Sequence, residues 1–187
     1  TILDFNGDGL PDLMYVRGGI VYMRQNDGAF FANSVEVAAT GLPDQDGWPL
    51  ADGSLQSADF DGDGRADLVG RLASTGAWCA YRAVGGSEWM EVGCIGPNIT
   101  AVLTADINGD GLSDLAYYRP TVGWLTRLSD GATFQAERTT GITSDSDPGN
   151  ARVADYDGDG RSDLIRVNEG TPISGSHAIH LSDGSGY

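Results

Sequence analysis

The chain has 187 residues, with 27 acidic against 11 basic side chains and a formal net charge of −16. That length can bury a real core and normally makes one domain. No basic patch is present to neutralise phosphates, which argues against nucleic acid as a partner, and nothing resembles a signal peptide or a membrane-inserting span.

A short stub, Thr1 to Leu3, leads into Asp4-Phe5-Asn6-Gly7-Asp8-Gly9-Leu10-Pro11-Asp12-Leu13. The pattern returns as Asp59-Phe60-Asp61-Gly62-Asp63-Gly64-Arg65-Ala66-Asp67-Leu68. It returns again as Asp106-Ile107-Asn108-Gly109-Asp110-Gly111-Leu112-Ser113-Asp114-Leu115, and last as Asp155-Tyr156-Asp157-Gly158-Asp159-Gly160-Arg161-Ser162-Asp163-Leu164. The starts lie 55, 47 and 49 residues apart, a period that marks a solenoid, a propeller or an array. The repeats span approximately 1–54, 55–101, 102–151 and 152–187 of a single region covering 1–187, and the last is incomplete.

Each copy reads D-x-[DN]-G-D-G-x-x-D. Oxygen side chains at positions one, three, five and nine of a tight loop can face one centre. Glycines at positions four and six permit backbone angles that a Cβ would forbid. Hard, partly anionic oxygen donors in a flexible loop suit Ca²⁺ better than Mg²⁺ or a transition metal. The opening matches an EF-hand loop, but an EF-hand needs a bidentate Glu at position twelve. Here those residues are Tyr15, Gly70, Tyr117 and Arg166. The ninth-position carboxylates Asp12, Asp67, Asp114 and Asp163 are therefore expected to close the shell. The backbone carbonyls of Leu10, Arg65, Leu112 and Arg161 are expected to add a ligand each. Fourteen of the 27 acidic residues lie in these loops, so four Ca²⁺ ions would halve the net charge. Asp63→Ala is expected to destabilise more than Glu137→Ala.

Each loop runs into a short, apolar, β-prone segment: Leu13-Met14-Tyr15-Val16, Leu68-Val69, Leu115-Ala116-Tyr117-Tyr118 and Leu164-Ile165-Arg166-Val167. In repeat one, strands are expected over 13–17 and 20–24, with a fourth beginning near Phe30 and running through Val37. Repeat two is expected to have strands near 67–72, 78–82 and 89–94. Repeat three gives 114–119, 123–128 and 134–139, and repeat four gives 163–168 and 177–182. No helical periodicity appears, so each repeat reads as about four antiparallel strands, as in a propeller blade.

The second halves also align. One column holds Arg24, Arg82, Arg127 and His180, followed by Gly28, Gly86, Gly131 and Gly184, then by Phe31, Trp89, Phe134 and Tyr187. The aromatic column is expected to pack between sheets. The Arg/His column is read first as a solvated strand end or an arginine paired with a nearby motif carboxylate, and second as a repeated site for a polar or anionic ligand. The insertion over 40–54 carries one large aromatic, Trp48, which is either a ligand contact or a buried anchor.

Cys79 and Cys94 flank Gly85-Gly86-Ser87-Glu88, which reads as a hairpin turn. If Gly85 faces Glu88, paired indices sum to 173, and so do 79 and 94. A cross-strand disulfide is then within reach, which favours an oxidising, extracellular compartment. The chain opens on Thr1 rather than Met, which reads as a mature or excised piece. Every basic residue is Arg and none is Lys, for which the sequence supplies no physical reason.

These residues resemble the FG-GAP or VCBS repeats of the integrin α-subunit type of β-propeller. The resemblance implies an all-β fold in which the loop joins the first two strands of a blade and holds Ca²⁺. It implies side-chain ligands Asp4, Asn6, Asp8 and Asp12; Asp59, Asp61, Asp63 and Asp67; Asp106, Asn108, Asp110 and Asp114; and Asp155, Asp157, Asp159 and Asp163. Such propellers usually close with seven blades, so four repeats imply a segment of a larger ring, or one completed by flanking blades or another chain. Similar repeats occur in secreted adhesins, lectins and toxin shells. The leading expectation is a secreted, non-catalytic module that recognises a glycan or a protein on a cell surface. A structural segment of a large secreted assembly comes second. A glycan-processing enzyme comes third, with only His177, His180, Glu88 and Glu91 as candidates outside the loops.

Overall fold

The computed structural model describes residues 2–17, 20–29, 31, 35–42, 55–72, 74–143, 148–167 and 177–187. Among the described residues fifteen strands run in chain order: β1 (Ile2–Leu3), β2 (Asp12–Arg17), β3 (Ile20–Arg24), β4 (Glu36–Ala38), β5 (Gln56–Ala58), β6 (Asp67–Arg71), β7 (Trp78–Gly85), β8 (Glu88–Gly96), β9 (Ala101–Ala105), β10 (Asp114–Arg119), β11 (Gly123–Arg127), β12 (Arg138–Thr139), β13 (Arg152–Ala154), β14 (Asp163–Val167) and β15 (His177–His180). One short 3₁₀ turn, Pro148–Asn150, is the sole helical element among the described residues.

The strands form four antiparallel sheets, β1–β4, β5–β8, β9–β12 and β13–β15. Every sheet is a meander in which sequence neighbours are spatial neighbours, the order of a propeller blade. Each acidic loop joins the first and second strands of its sheet, as the resemblance implies. The outer strands start later than the sequence suggests: β4 at Glu36 and β12 at Arg138. In the third sheet Asp130 Oδ1 accepts from the Ala132 and Thr133 amides in a tight turn, and Phe134 pairs with Ser129 only as an isolated bridge before β12 begins.

The chain divides into two compact units, Thr1–Pro97 and Asn98–Tyr187. In the first, Leu3, Phe5, Met14, Val21 and Met23 of one sheet pack on Leu68, Cys79, Tyr81, Ala83 and Trp89 of the other. The Trp89 indole donates to the Met23 sulfur at 3.4 Å. Chain leaving β4 bonds to β8, with the Thr40 amide on Ser87 O and the Trp89 amide on Thr40 O, both at 2.8 Å. Gly41 comes next at φ 78°, and a Cβ there would lie 1.8 Å from Trp89 O, so only glycine fits. In the second unit Ala105, Ile107, Ala116, Tyr118, Trp124 and Leu128 pack against Ala151 and Leu164, with Tyr187 beside them. The aromatic column is thus core at Trp89, while Tyr187 is partly buried against the second core. Phe31 and Phe134 are half-buried.

Cys79 and Cys94 are disulfide-bonded and face each other across β7 and β8. Gly85 faces Glu88 as expected, yet the intervening pairs run one lower: Ala83 with Trp89, Arg82 with Met90, Tyr81 with Glu91. A bulge at Val84 on β7 is cancelled by one at Val92 on β8, which restores the register at the cysteines. No helix among the described residues is long and apolar enough to cross a membrane.

Candidate metal centre and adjoining cavity

The four loops share one hydrogen-bond scheme. The first carboxylate accepts from the amides of both motif glycines: Gly7 and Gly9 on Asp4 at 2.8 and 2.7 Å, Gly62 and Gly64 on Asp59 at 2.7 and 3.0 Å. Asp106 and Asp155 repeat this with Gly109 and Gly111 and with Gly158 and Gly160. Position three accepts from the amide two residues on, and position five does the same. These are Asx turns in series, and they force positive φ at the glycines, between 74° and 88° in all four loops.

The ninth Asp does more than the sequence suggests. Asp12, Asp67, Asp114 and Asp163 are at most 1% exposed. One oxygen accepts from position two of the loop: Phe5, Phe60, Ile107 or Tyr156. The other accepts from the amide of Asn26, Ser129 or Ser182, just beyond the third strand, or of Ala83, near the end of β7. Each ninth Asp is therefore a clip between the loop and the far end of its hairpin. Burial pushes Asp67 up to about 7 and Asp114 up to about 6, against the backbone donors that favour the charged form. Burial also raises Asp12.

The donor set fits a hard divalent cation. In the second loop one oxygen each from Asp59, Asp61 and Asp67 lie within 4.8 Å of one another, as do those of Asp155, Asp157 and Asp163 in the fourth. Such spacing matches oxygens that share an ion at about 2.3–2.6 Å. In the first and third loops Asn6 and Asn108 supply a neutral oxygen in the same place, and their amide nitrogens donate to Asp8 and Asp110. A bound cation would supply the charge that balances these carboxylates.

The Arg/His column breaks at repeat two. Arg24, Arg127 and His180 sit opposite Leu13, Leu115 and Leu164, but Tyr81, not Arg82, sits opposite Leu68. The bulge at Val84 shifts the sequence alignment by one. Tyr81 Oη donates to Glu91 at 3.2 Å. Arg82 pairs with the loop carboxylate of Asp61 at 3.5 Å, the ion-pair reading of this column. Arg24 donates to Phe31 O at 3.2 Å, and His180 lies 3.4 Å from Arg166. Trp48 falls outside the described residues, as does the structure around the His177 side chain. Glu137 is no neutral reference: it accepts from Tyr117 at 2.6 Å and from Arg119 at 2.9 and 3.0 Å. Tyr15, Arg17 and Glu36 repeat that triad in the first sheet. The sequence signal for it is Tyr-x-Arg after each of these two loops.

A cavity of about 530 Å³ opens in the first unit, beside the first loop. Buried Phe5 and Met23 give it an apolar floor, exposed Val37 an apolar edge, Gln25 and Asp27 a polar rim, and the β7–β8 turn at Gly86 its far wall. Phe5 is position two of the loop. Gln25 donates to Asp8 at 3.3 Å, and the Asn26 amide is clipped by Asp12 at 2.7 Å. The cavity rim and the acidic loop are one hydrogen-bonded piece.

The profile of the FG-GAP-like repeat matches residues 4–70 and 106–165. The chain belongs to the FG-GAP-like repeat family. The blade-like sheets of this FG-GAP chain also recur in solved structures. A lectin from Agrocybe aegerita, described as recognising non-reducing terminal N-acetylglucosamine, superposes with a TM-score of 0.68 at 21% identity. The match covers 98% of the FG-GAP chain and 52% of the lectin. The Photorhabdus luminescens Tc holotoxin pore gives a TM-score of 0.61 at 24% identity, covering 100% of the FG-GAP chain and 9% of the toxin chain. At these identities the likeness is one of fold. No curated protein sequence matched.

Proposed function

We propose that the chain is a Ca²⁺-stabilised, non-catalytic recognition module that works outside the cell and takes a carbohydrate ligand. The observation that carries this reading is the cavity built directly on the first acidic loop. Its apolar floor suits the face of a sugar ring, and its carboxylate and amide rim suits hydroxyl groups. Because Gln25 bonds Asp8 and Asp12 clips Asn26, a cation in that loop would fix the rim, so sugar binding depends on the ion. The lectin of like fold supports the ligand class, and the disulfide supports an oxidising compartment. Four Ca²⁺ ions, one per repeat, are the cofactors of this reading, with the carbonyls of Leu10, Arg65, Leu112 and Arg161 completing the shells.

A second reading is a blade segment of a larger, seven-bladed type of propeller in a secreted toxin or surface assembly. It is favoured by β15, which lies at the edge of a three-stranded sheet among the described residues and exposes Ile179 and Leu181 nearby. A strand from flanking blades or another chain would cover it.

A glycan array probed with labelled protein, in Ca²⁺ and in EGTA, separates the two. The first reading expects saturable binding that is lost in EGTA and weakened at least about tenfold by Asp27→Ala, as for a rim group in direct contact with ligand. Trp48→Ala tests the long insertion in the same assay. Absence of binding to every glycan would overturn the carbohydrate reading and leave the second.

A further inference from the structure

The four loops alternate at two positions together. Position three is Asn6 and Asn108 in the first and third loops, but Asp61 and Asp157 in the second and fourth. Position seven is Leu10 and Leu112 in the former, but Arg65 and Arg161 in the latter. Each added carboxylate comes with an added guanidinium, so every loop keeps the same net charge.

The fold brings these groups together twice, once in each unit. The Arg65 guanidinium pairs with Asp63, and that of Arg161 with Asp159. The arginine stem lies across the preceding loop: a Cβ on Gly7 would be 3.2 Å from Arg65 Cγ, and one on Gly109 would be 3.2 Å from Arg161 Cγ. The next amide then ties the loops, Ala66 N to Asp4 O at 2.6 Å and Ser162 N to Asp106 O at 2.7 Å. Loops therefore come in pairs, and the arginine of the second member touches both.

We propose that Arg65 and Arg161 are positioning residues that stand in for a cation, holding the second loop of each pair in shape when no ion is bound and opposing the ion when it arrives. This rests on the reading of the loops as divalent-cation sites. The carboxylates of one such loop repel at short range, and a guanidinium on Asp63 or Asp159 relieves that repulsion. A divalent ion at the same carboxylates meets a like charge at contact distance. The arginine thus stabilises the ion-free loop more than the ion-bound one, and by linkage that difference weakens ion binding.

The test is a calorimetric Ca²⁺ titration of chelator-stripped protein, with melting curves in EGTA and in excess Ca²⁺. The variants are Arg65→Leu and Arg161→Leu, which install the residue of the other two loops. Arg65→Gln keeps part of the stem over Gly7 and removes the charge. The expected result is one ion bound roughly tenfold more tightly per variant, as removal of one nearby charge predicts. The melting temperature should fall in EGTA and change less in Ca²⁺. Equal falls in both conditions with unchanged affinity, in the Leu and Gln variants alike, would overturn the proposal, since a purely structural side chain gives that pattern. No Ca²⁺ binding by the unmodified chain would instead overturn the reading of the loops themselves.

Discussion

The two compact units solve one problem with different fastenings. Each pairs two meander sheets and two acidic loops, and each ties its loops by the same backbone bond, Ala66 to Asp4 and Ser162 to Asp106. Beyond that frame they diverge. The first unit is stapled by Cys79–Cys94 inside a hairpin with three register shifts, and chain leaving its β4 bonds to β8. The second has no disulfide among its described residues. There the Ser182 hydroxyl donates to Ile107 O at 2.6 Å, and Thr126 donates to Ser185 O at 3.4 Å. At the position of Ser182 the first unit has Ala83, whose carbonyl accepts from Arg65 instead. The loops set the frame, and the braces around them are interchangeable.

The largest effect should ignore the difference between units. A site at a hundredfold over its Kd contributes about 2.7 kcal/mol, so emptying four of them should lower the melting temperature by at least about 10 °C, with both units losing amide protection together. An unchanged melt in EGTA would remove the cation from the comparison. Next comes a change confined to one unit. Replacing both Cys79 and Cys94 by Ala opens a loop of sequence separation 15, worth about 3 kcal/mol. Hydrogen exchange should speed up at Tyr81 and leave Tyr117 unchanged; equal acceleration at both would show that the units do not unfold separately.

Ser182→Ala is the counterpart in the second unit. It deletes a buried hydroxyl bonded to Ile107 O and should cost about 1–2 kcal/mol, read by urea denaturation, with Tyr81 protection intact. The smallest effect belongs to the Tyr117–Glu137–Arg119 triad. The Arg119 bonds hold the Glu137 carboxyl below its ordinary value of 4.5. A lowered folded value means the contribution is complete above the ordinary glutamate pKa and is lost as pH falls through the folded one. Glu137→Gln should therefore destabilise by no more than about 1 kcal/mol at about pH 7, and by progressively less as pH falls below the ordinary glutamate value. A penalty that persists in acid would assign Glu137 a packing role.

Several elements were legible in the residues themselves. The loops announce themselves because an Asx-turn series needs fixed residue types at fixed offsets, and glycine at two of them. The disulfide was legible from one turn and one sum, although the sum held only because two bulges cancelled. The same bulge misplaced Arg82 in a column that belongs to Tyr81. Bulges leave no mark on spacing until both ends of a hairpin are known. The alternation of Asn6 and Leu10 with Asp61 and Arg65 is visible in the residues, but its meaning lies in a contact between loops that start 55 residues apart.

What the chain fixed by local chemistry was the turn scheme, the all-β meander and its family. Those depend on interactions a few residues in reach. The clipping role of Asp12, Asp67, Asp114 and Asp163, the pairing of loops, and the cavity on the first loop were decided by the tertiary structure alone. Each joins segments far apart in sequence, and a pattern of residue types does not say which distant backbone amide a buried carboxylate will meet.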